Sequence, residues 1–104
     1  MDYEVVITSD AEEDLDRVIR YLLFKKQNSQ AATSVLDDFE ATKQTLSSVA
    51  GSLKMCSNPR LSELGYRKIN FLSHRYFLLY RVEGNLAIVD NIFHESQDYE
   101  NKIK

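Results

Sequence analysis

Arg67, Arg75, Arg81, His74, His94 and Tyr99 are the side chains of this sequence best suited to chemistry. A histidine can carry a proton near neutral pH, and a guanidinium can stabilise the charge that builds on a pentavalent phosphate. Together they suit in-line attack of an RNA 2′-hydroxyl on its own phosphate, a reaction that needs no metal. Cys56 is the one cysteine, and with two histidines in no ligand-like spacing no zinc site is implied. Three glycines leave no phosphate loop, neither Cys56 nor any serine lies in a nucleophile elbow, and no cofactor is expected. Each candidate also has a plainer reading. An arginine near a strand end can snorkel or pair with an acid, His94 closes an apolar strand and can equally be structural, and His74 in a turn is expected to face solvent.

The elements that must position these groups follow from periodicity. From Arg75 to Val82 side chains alternate, so Arg75, Phe77, Leu79 and Arg81 share one face while Tyr76, Leu78, Tyr80 and Val82 share the other. Both faces are largely apolar, which predicts cover on both sides. With Tyr66–Leu72 before it and Leu86–Phe93 after it, joined by tight connections, this strand predicts a three-stranded antiparallel meander over about 64–94. The candidate residues come from strand ends or just beyond, where a meander could gather them on one concave face.

Ahead of the meander, Tyr3–Thr8 reads as a strand and Ser9-Asp10-Ala11-Glu12 as a capping box with Ser9 at the cap. Ala11, Leu15, Val18, Ile19, Leu22 and Leu23 predict a helix over 10–26. A second helix starts near Ser29, carries Ala32, Val35, Leu36, Phe39, Leu46 and Val49 on one stripe, and breaks at Gly51. The two form an antiparallel hairpin over about 10–50. Residues 52–61, with Pro59, predict an irregular connection, and the polar tail 95–104 a short helix or flexible end. The expected fold is α+β, one domain over 1–104: N-terminal strand, two-helix antiparallel hairpin, three-stranded antiparallel meander.

Charge is unevenly placed on this chain of net charge −3. Within residues 54–81 Lys54, Arg60, Arg67, Lys68, Arg75 and Arg81 face only Glu63, whereas the first half is acidic. Such a patch can bind an acidic protein segment or a phosphate backbone, and the acidic remainder weakens non-specific nucleic-acid binding. The longest apolar runs are about five residues, far short of the roughly 20 that span a bilayer. With no basic-then-apolar leader after Met1 and one cysteine, a cytoplasmic protein with no membrane contact is expected.

The order and spacing of these elements resembles the RelE/ParE superfamily of bacterial type II toxin–antitoxin toxins over nearly the full chain. The resemblance is carried by Tyr3–Ser9 running into Ala11-Glu12-Glu13-Asp14-Leu15-Asp16, by Ile19-Arg20-Tyr21-Leu22, by Ala31-Ala32, and by the Pro59 loop. Leu64-Gly65-Tyr66-Arg67, the Tyr76–Val82 strand and the His94–Asp98 end complete it. It implies a small toxin that arrests growth, serves plasmid stabilisation, and is neutralised in a hetero-oligomeric complex by an antitoxin whose carboxyl-terminal segment wraps around it. Two mechanisms occur in the superfamily. RelE-like members cut messenger RNA on the ribosome, and by that resemblance Arg75 would hold phosphate, His94 would be an acid or base, and Tyr99 would match a terminal catalytic tyrosine. ParE-like members inhibit DNA gyrase without chemistry of their own, and there Arg67, Lys68, Arg75 and Arg81 would bind the target or the antitoxin. The acidic pI of about 5.3, the long hairpin, the Asp14-Leu15 and Tyr21-Leu22 pattern and the His94-x-x-x-Asp98 ending resemble the ParE-like branch more. A non-toxic antitoxin-binding protein is the third reading.

Overall fold

The computed structural model describes residues 2–101. Its first strand, β1 (Glu4–Ile7), is β-branched and runs straight into α1 (Ser9–Arg20). The cap of that helix is Thr8 rather than Ser9. Thr8 keeps the extended backbone of the strand, and its hydroxyl donates to the Val89 carbonyl (3.0 Å) while accepting from the Ala11 amide (3.3 Å). One residue of displacement leaves Ala11 at the position a capping box reserves for Glu or Gln, so the reciprocal bond of that motif is not formed.

The helix predicted to reach residue 26 opens at Tyr21. Tyr21–Lys25 forms a wide π-helical turn closed by Lys26 N–H to the Tyr21 carbonyl at 3.1 Å, after which Gln27 reverses the chain at a φ of 50°. The turn leaves Leu22 against the core and Phe24, 74% exposed, in solvent. The Asn28 side chain then accepts from the Ala31 amide and starts α2 (Ser29–Val49), which ends in a tight turn at Ala50–Ser52. A Cβ on Gly51 would meet the Tyr3 hydroxyl, so any larger residue there must displace the tip of that ring. Residues 52–61, expected to be irregular throughout, include the start of a short helix, α3 (Pro59–Glu63), with Asn58 as cap and Pro59 in its first turn.

The meander is present as β2 (Tyr66–Asn70), β3 (Tyr76–Glu83) and β4 (Leu86–His94). β1 adds to it in parallel beside β4, with Glu4 opposite Leu86 and Ile7 opposite Val89, giving a four-stranded sheet of order β1-β4-β3-β2. Gly84, at a φ of 61°, makes the two-residue β3–β4 turn. A bulge falls where Leu79 opposes Asn91 but Tyr80 opposes Val89, so Asp90 is the extra residue.

Both faces of the sheet are covered, as the alternation predicts. The helix hairpin packs Val35, Phe39 and Leu46 on Leu78, Tyr80 and Val89, while Cys56 and Leu61 close the opposite face over Phe77, Leu79 and Phe93. A fully buried side chain such as Phe77 or Leu78 contributes about 1.5–3 kcal/mol. Tyr80 donates its hydroxyl to the Ala50 carbonyl at 2.7 Å, and burial pushes its pKa up to about 12. One position on the predicted stripe of α2 differs from expectation, Leu36, which is exposed, and Asp38, outside that stripe, is buried. Of the predicted tail, Tyr99–Asn101 forms one helical turn, and residues 102–104 lie outside the described residues.

Candidate functional site

β3 begins at Tyr76, so Arg75 is not on the strand. The chain from Phe71 to Arg75 is instead a loop held by α2: the buried Asp38 carboxylate accepts the Leu72 and Ser73 amides, each at 2.9 Å, and lies 2.6 Å from His74 Nδ1. Burial alone would raise the Asp38 pKa, but the His74 hydrogen bond and the two amides outweigh it and hold the carboxyl below its ordinary value. His74, expected in solvent, is thereby a half-buried clamp whose Nε2 lies 3.4 Å from Ser34 Oγ. Arg75 is exposed, and among the described residues it forms no ion pair; its carbonyl accepts the Glu95 amide at 2.8 Å, which places its backbone beside the end of β4.

Two of the other arginines are occupied inside the molecule. Arg67 donates to the Gly51 and Leu53 carbonyls at 2.9 and 2.6 Å, tying β2 to the turn that follows α2. Arg81 pairs with Glu83 and with Asp90 (2.8 Å), the bulge residue, which also accepts the Tyr66 hydroxyl at 2.9 Å. The Asp90 hydrogen bond is what raises the Arg81 pKa further, and burial followed by Asp90 keeps the Tyr66 phenol protonated.

His94 and Tyr99 are separated by the sheet. Tyr76 and His94 are register partners and meet edge to face at 5.1 Å, one residue beyond the Phe77–Phe93 pair. Side chains alternate, so His94 lies on the helix face, whereas Tyr99 meets Phe77 edge to face (4.9 Å) and lies tilted against Phe93 (5.9 Å) on the other. Lys68 joins Tyr99 there, its ammonium 4.9 Å from the Phe77 ring and 5.7 Å from the Tyr99 ring. Burial, with smaller contributions from Cys56 and Glu100, raises the Tyr99 pKa, and burial likewise raises that of the Cys56 thiol. The structure therefore brings Lys68 to Tyr99 and the Arg75 backbone to the end of β4 next to His94, and gathers none of these with Arg67 or Arg81.

Beside His94 is a cleft that periodicity did not expose. Asp14 of α1 accepts from Arg17 (3.2 Å), Asn91 (3.1 Å) and the Ile92 amide (3.0 Å), fixing the helix to β4. Just beyond, Arg17, Val18, Tyr21, Tyr76, His94 and Gln97 line a slot of about 390 Å³. The Ser96 amide lies 3.1 Å and the Ser96 hydroxyl 2.7 Å from His94 Nδ1, so that nitrogen is engaged within its own loop and Nε2 is the one turned to a ligand. Gln97 accepts the His94 amide at 2.7 Å. The signal for Asp38 was legible in principle, since an acid at the helical spacing of Val35, Phe39 and Thr42 faces inward. No such spacing marks the slot, whose walls come from α1, the π-helical turn, β3, β4 and the loop after β4. Among the described residues, no group of three or more His, Cys, Asp or Glu is placed to hold a metal, and no helix is long and apolar enough to cross a membrane.

Comparison with known proteins adds the family. The sequence model described as ParE toxin of type II toxin–antitoxin system, parDE, matches residues 5–99. The fold is similar to a chain of the chromosomal ParDE toxin–antitoxin system from P. aeruginosa, at a TM-score of 0.69 and 20% identity, over 88% of this chain and 95% of that one. It is also similar to a chain of the toxin–antitoxin complex RelBE2 from Mycobacterium tuberculosis, at a TM-score of 0.56 and 20% identity, over 90% and 99%. No curated protein matches the sequence significantly.

Proposed function

The chain belongs to the ParE toxin family of type II toxin–antitoxin systems, and from that premise we propose that it arrests growth by inhibiting DNA gyrase, in the cytoplasm, with no chemistry of its own. A cognate antitoxin neutralises it in a hetero-oligomeric complex. The observation that carries the choice of mechanism is the dispersal of the groups a nuclease would need. His94 and Tyr99 are on opposite faces of the sheet, and Tyr99 is packed among rings. Arg81 is neutralised by Asp90 and Glu83, and Arg67 is spent on backbone carbonyls. A general acid or base must reach the proton it moves within about 2.6–3.2 Å or through one water, and two groups divided by a covered sheet do not share a substrate.

The test follows supercoiling and transcripts together. Purified chain added to gyrase and relaxed plasmid should block supercoiling, and induced cells should arrest with damaged or relaxed DNA and intact messages. Normal gyrase activity with messages cut at ribosome-occupied codons would replace this reading by the RelE-like endonuclease. Unimpaired growth would leave the non-toxic antitoxin-binding protein.

A further inference from the structure

We propose that the slot between the end of α1 and the end of β4 seats an acidic, apolar segment of the antitoxin. One aliphatic or aromatic side chain would lie against Val18, Tyr21 and Tyr76, with a carboxylate on the donors of Arg17, His94 and Gln97. The proposal rests on the toxin–antitoxin reading above and specifies where the partner is held and by what chemistry.

The slot walls are mostly carbon, with the Tyr76 ring standing edge to face on His94. Its acceptors are already used. Asp14 is taken by Arg17, Asn91 and the Ile92 amide, the Gln97 oxygen by the His94 amide, and His94 Nδ1 by the Ser96 amide. What remains open to a ligand are His94 Nε2, the Gln97 amide nitrogen, the two phenols, which can donate or accept, and the other nitrogens of Arg17, whose side chain is 74% exposed at the rim. Burial, with Tyr21 adding to it, keeps the Tyr76 phenol protonated and able to donate. A carboxylate suits this set, since it pairs with the Arg17 guanidinium and accepts from the Gln97 amide and the phenols. Lys26 lies 5.8 Å from the centre of the Tyr21 ring, and Arg75 lies beside the end of β4, against the exposed Glu95. The surface also continues outward. Tyr21, Leu23 and Phe24, at 48%, 37% and 74% exposure, extend the apolar area along the π-helical turn, so a segment anchored in the slot has a path to follow.

The protein encoded by the adjacent reading frame is the probe. Its affinity is measured by titration calorimetry for the unaltered chain, for Arg17→Glu, Tyr21→Ser and His94→Leu, and for Arg20→Glu, which changes an exposed cation of the same helix outside the slot. Circular dichroism confirms folding, and Tyr21→Ser, at a half-exposed position, keeps the test alive if His94→Leu misfolds. The expected result is at least a tenfold loss for the three slot variants and a change within twofold for Arg20→Glu. Neutralising one antitoxin carboxylate should then cost nothing further in the His94→Leu background. Affinity within twofold for all slot variants overturns the proposal. So does loss of gyrase inhibition with antitoxin affinity intact, which would give the slot to the target, or conversion of a dimer to a monomer, which would give it to a second copy. Failure of the unaltered chain to bind the antitoxin at all would instead remove the toxin–antitoxin reading beneath it.

Discussion

The buried Asp38 carboxylate holds three consecutive loop residues against α2. Removing its carboxylate in Asp38→Ala strands two loop amides and the His74 ring at once, and a loss of about 2–4 kcal/mol is expected from the urea midpoint. The sign of its pH dependence follows from the direction of its shift. The folded carboxyl titrates below its ordinary 3.8, so the folded state binds the proton less readily than the unfolded chain does, and the clamp's contribution is complete above that value. It drains away as pH falls through the lowered folded pKa, and thermal scans from pH 6 to pH 2 should show a steeper loss for the unaltered protein than for Asp38→Asn. Tyr80 works in the other direction. Its pKa of about 12 means that the stability it adds is whole below about 10, and is lost as pH rises through the folded value. Absorbance titration should therefore show Tyr80 ionising last or only with unfolding. At this scale the sequence reveals residue types but not their partners. Arg67 and Arg81 look like binding cations in a list of charges, and only the turn after α2 and the bulge at Asp90 reveal that the first is held by backbone carbonyls and the second is paired with a carboxylate.

Thr8 marks the junction of two elements, and its replacement tests where α1 begins. Thr8→Ala loses both the cap and the bond to Val89, for an expected cost of about 1–2 kcal/mol, whereas Ser9→Ala should change the unfolding midpoint by less than about 0.5 kcal/mol. Either serine or threonine can cap, and the choice is made by the strand, which holds Thr8 extended against β4. The same dependence on distant partners explains what else was hidden. Period-2 and period-3.6 patterns were enough for both long helices and the meander, because those patterns reflect burial against a neighbour of any identity. They could not place β1 in the sheet, since its pairing is with a strand 82 positions away. Nor could they foresee the π-helical turn, because Tyr21-Leu22-Leu23-Phe24 is apolar whichever way it winds.

For the whole molecule, a basic segment in the sequence is not the same as a basic surface. Arg67 and Arg81 are absorbed, Lys68 lies over rings, and the net charge is −3. Binding to RNA or duplex DNA at physiological salt should therefore be weaker than the roughly 10⁻⁴–10⁻⁶ M of ordinary non-specific binders, checked by fluorescence anisotropy over a salt series. Tight, steeply salt-dependent binding would contradict this account of the charge. The sheet that orders all these groups is closed by its first and last strands, Glu4 opposite Leu86. During synthesis β1 and the hairpin emerge without the strand they belong beside, and at about 5–20 residues per second they wait several seconds for it. Until it arrives, the apolar helix faces of each growing chain are open. A growing chain in that interval is available to a chaperone or to a partner already made, before there is any finished molecule to restrain.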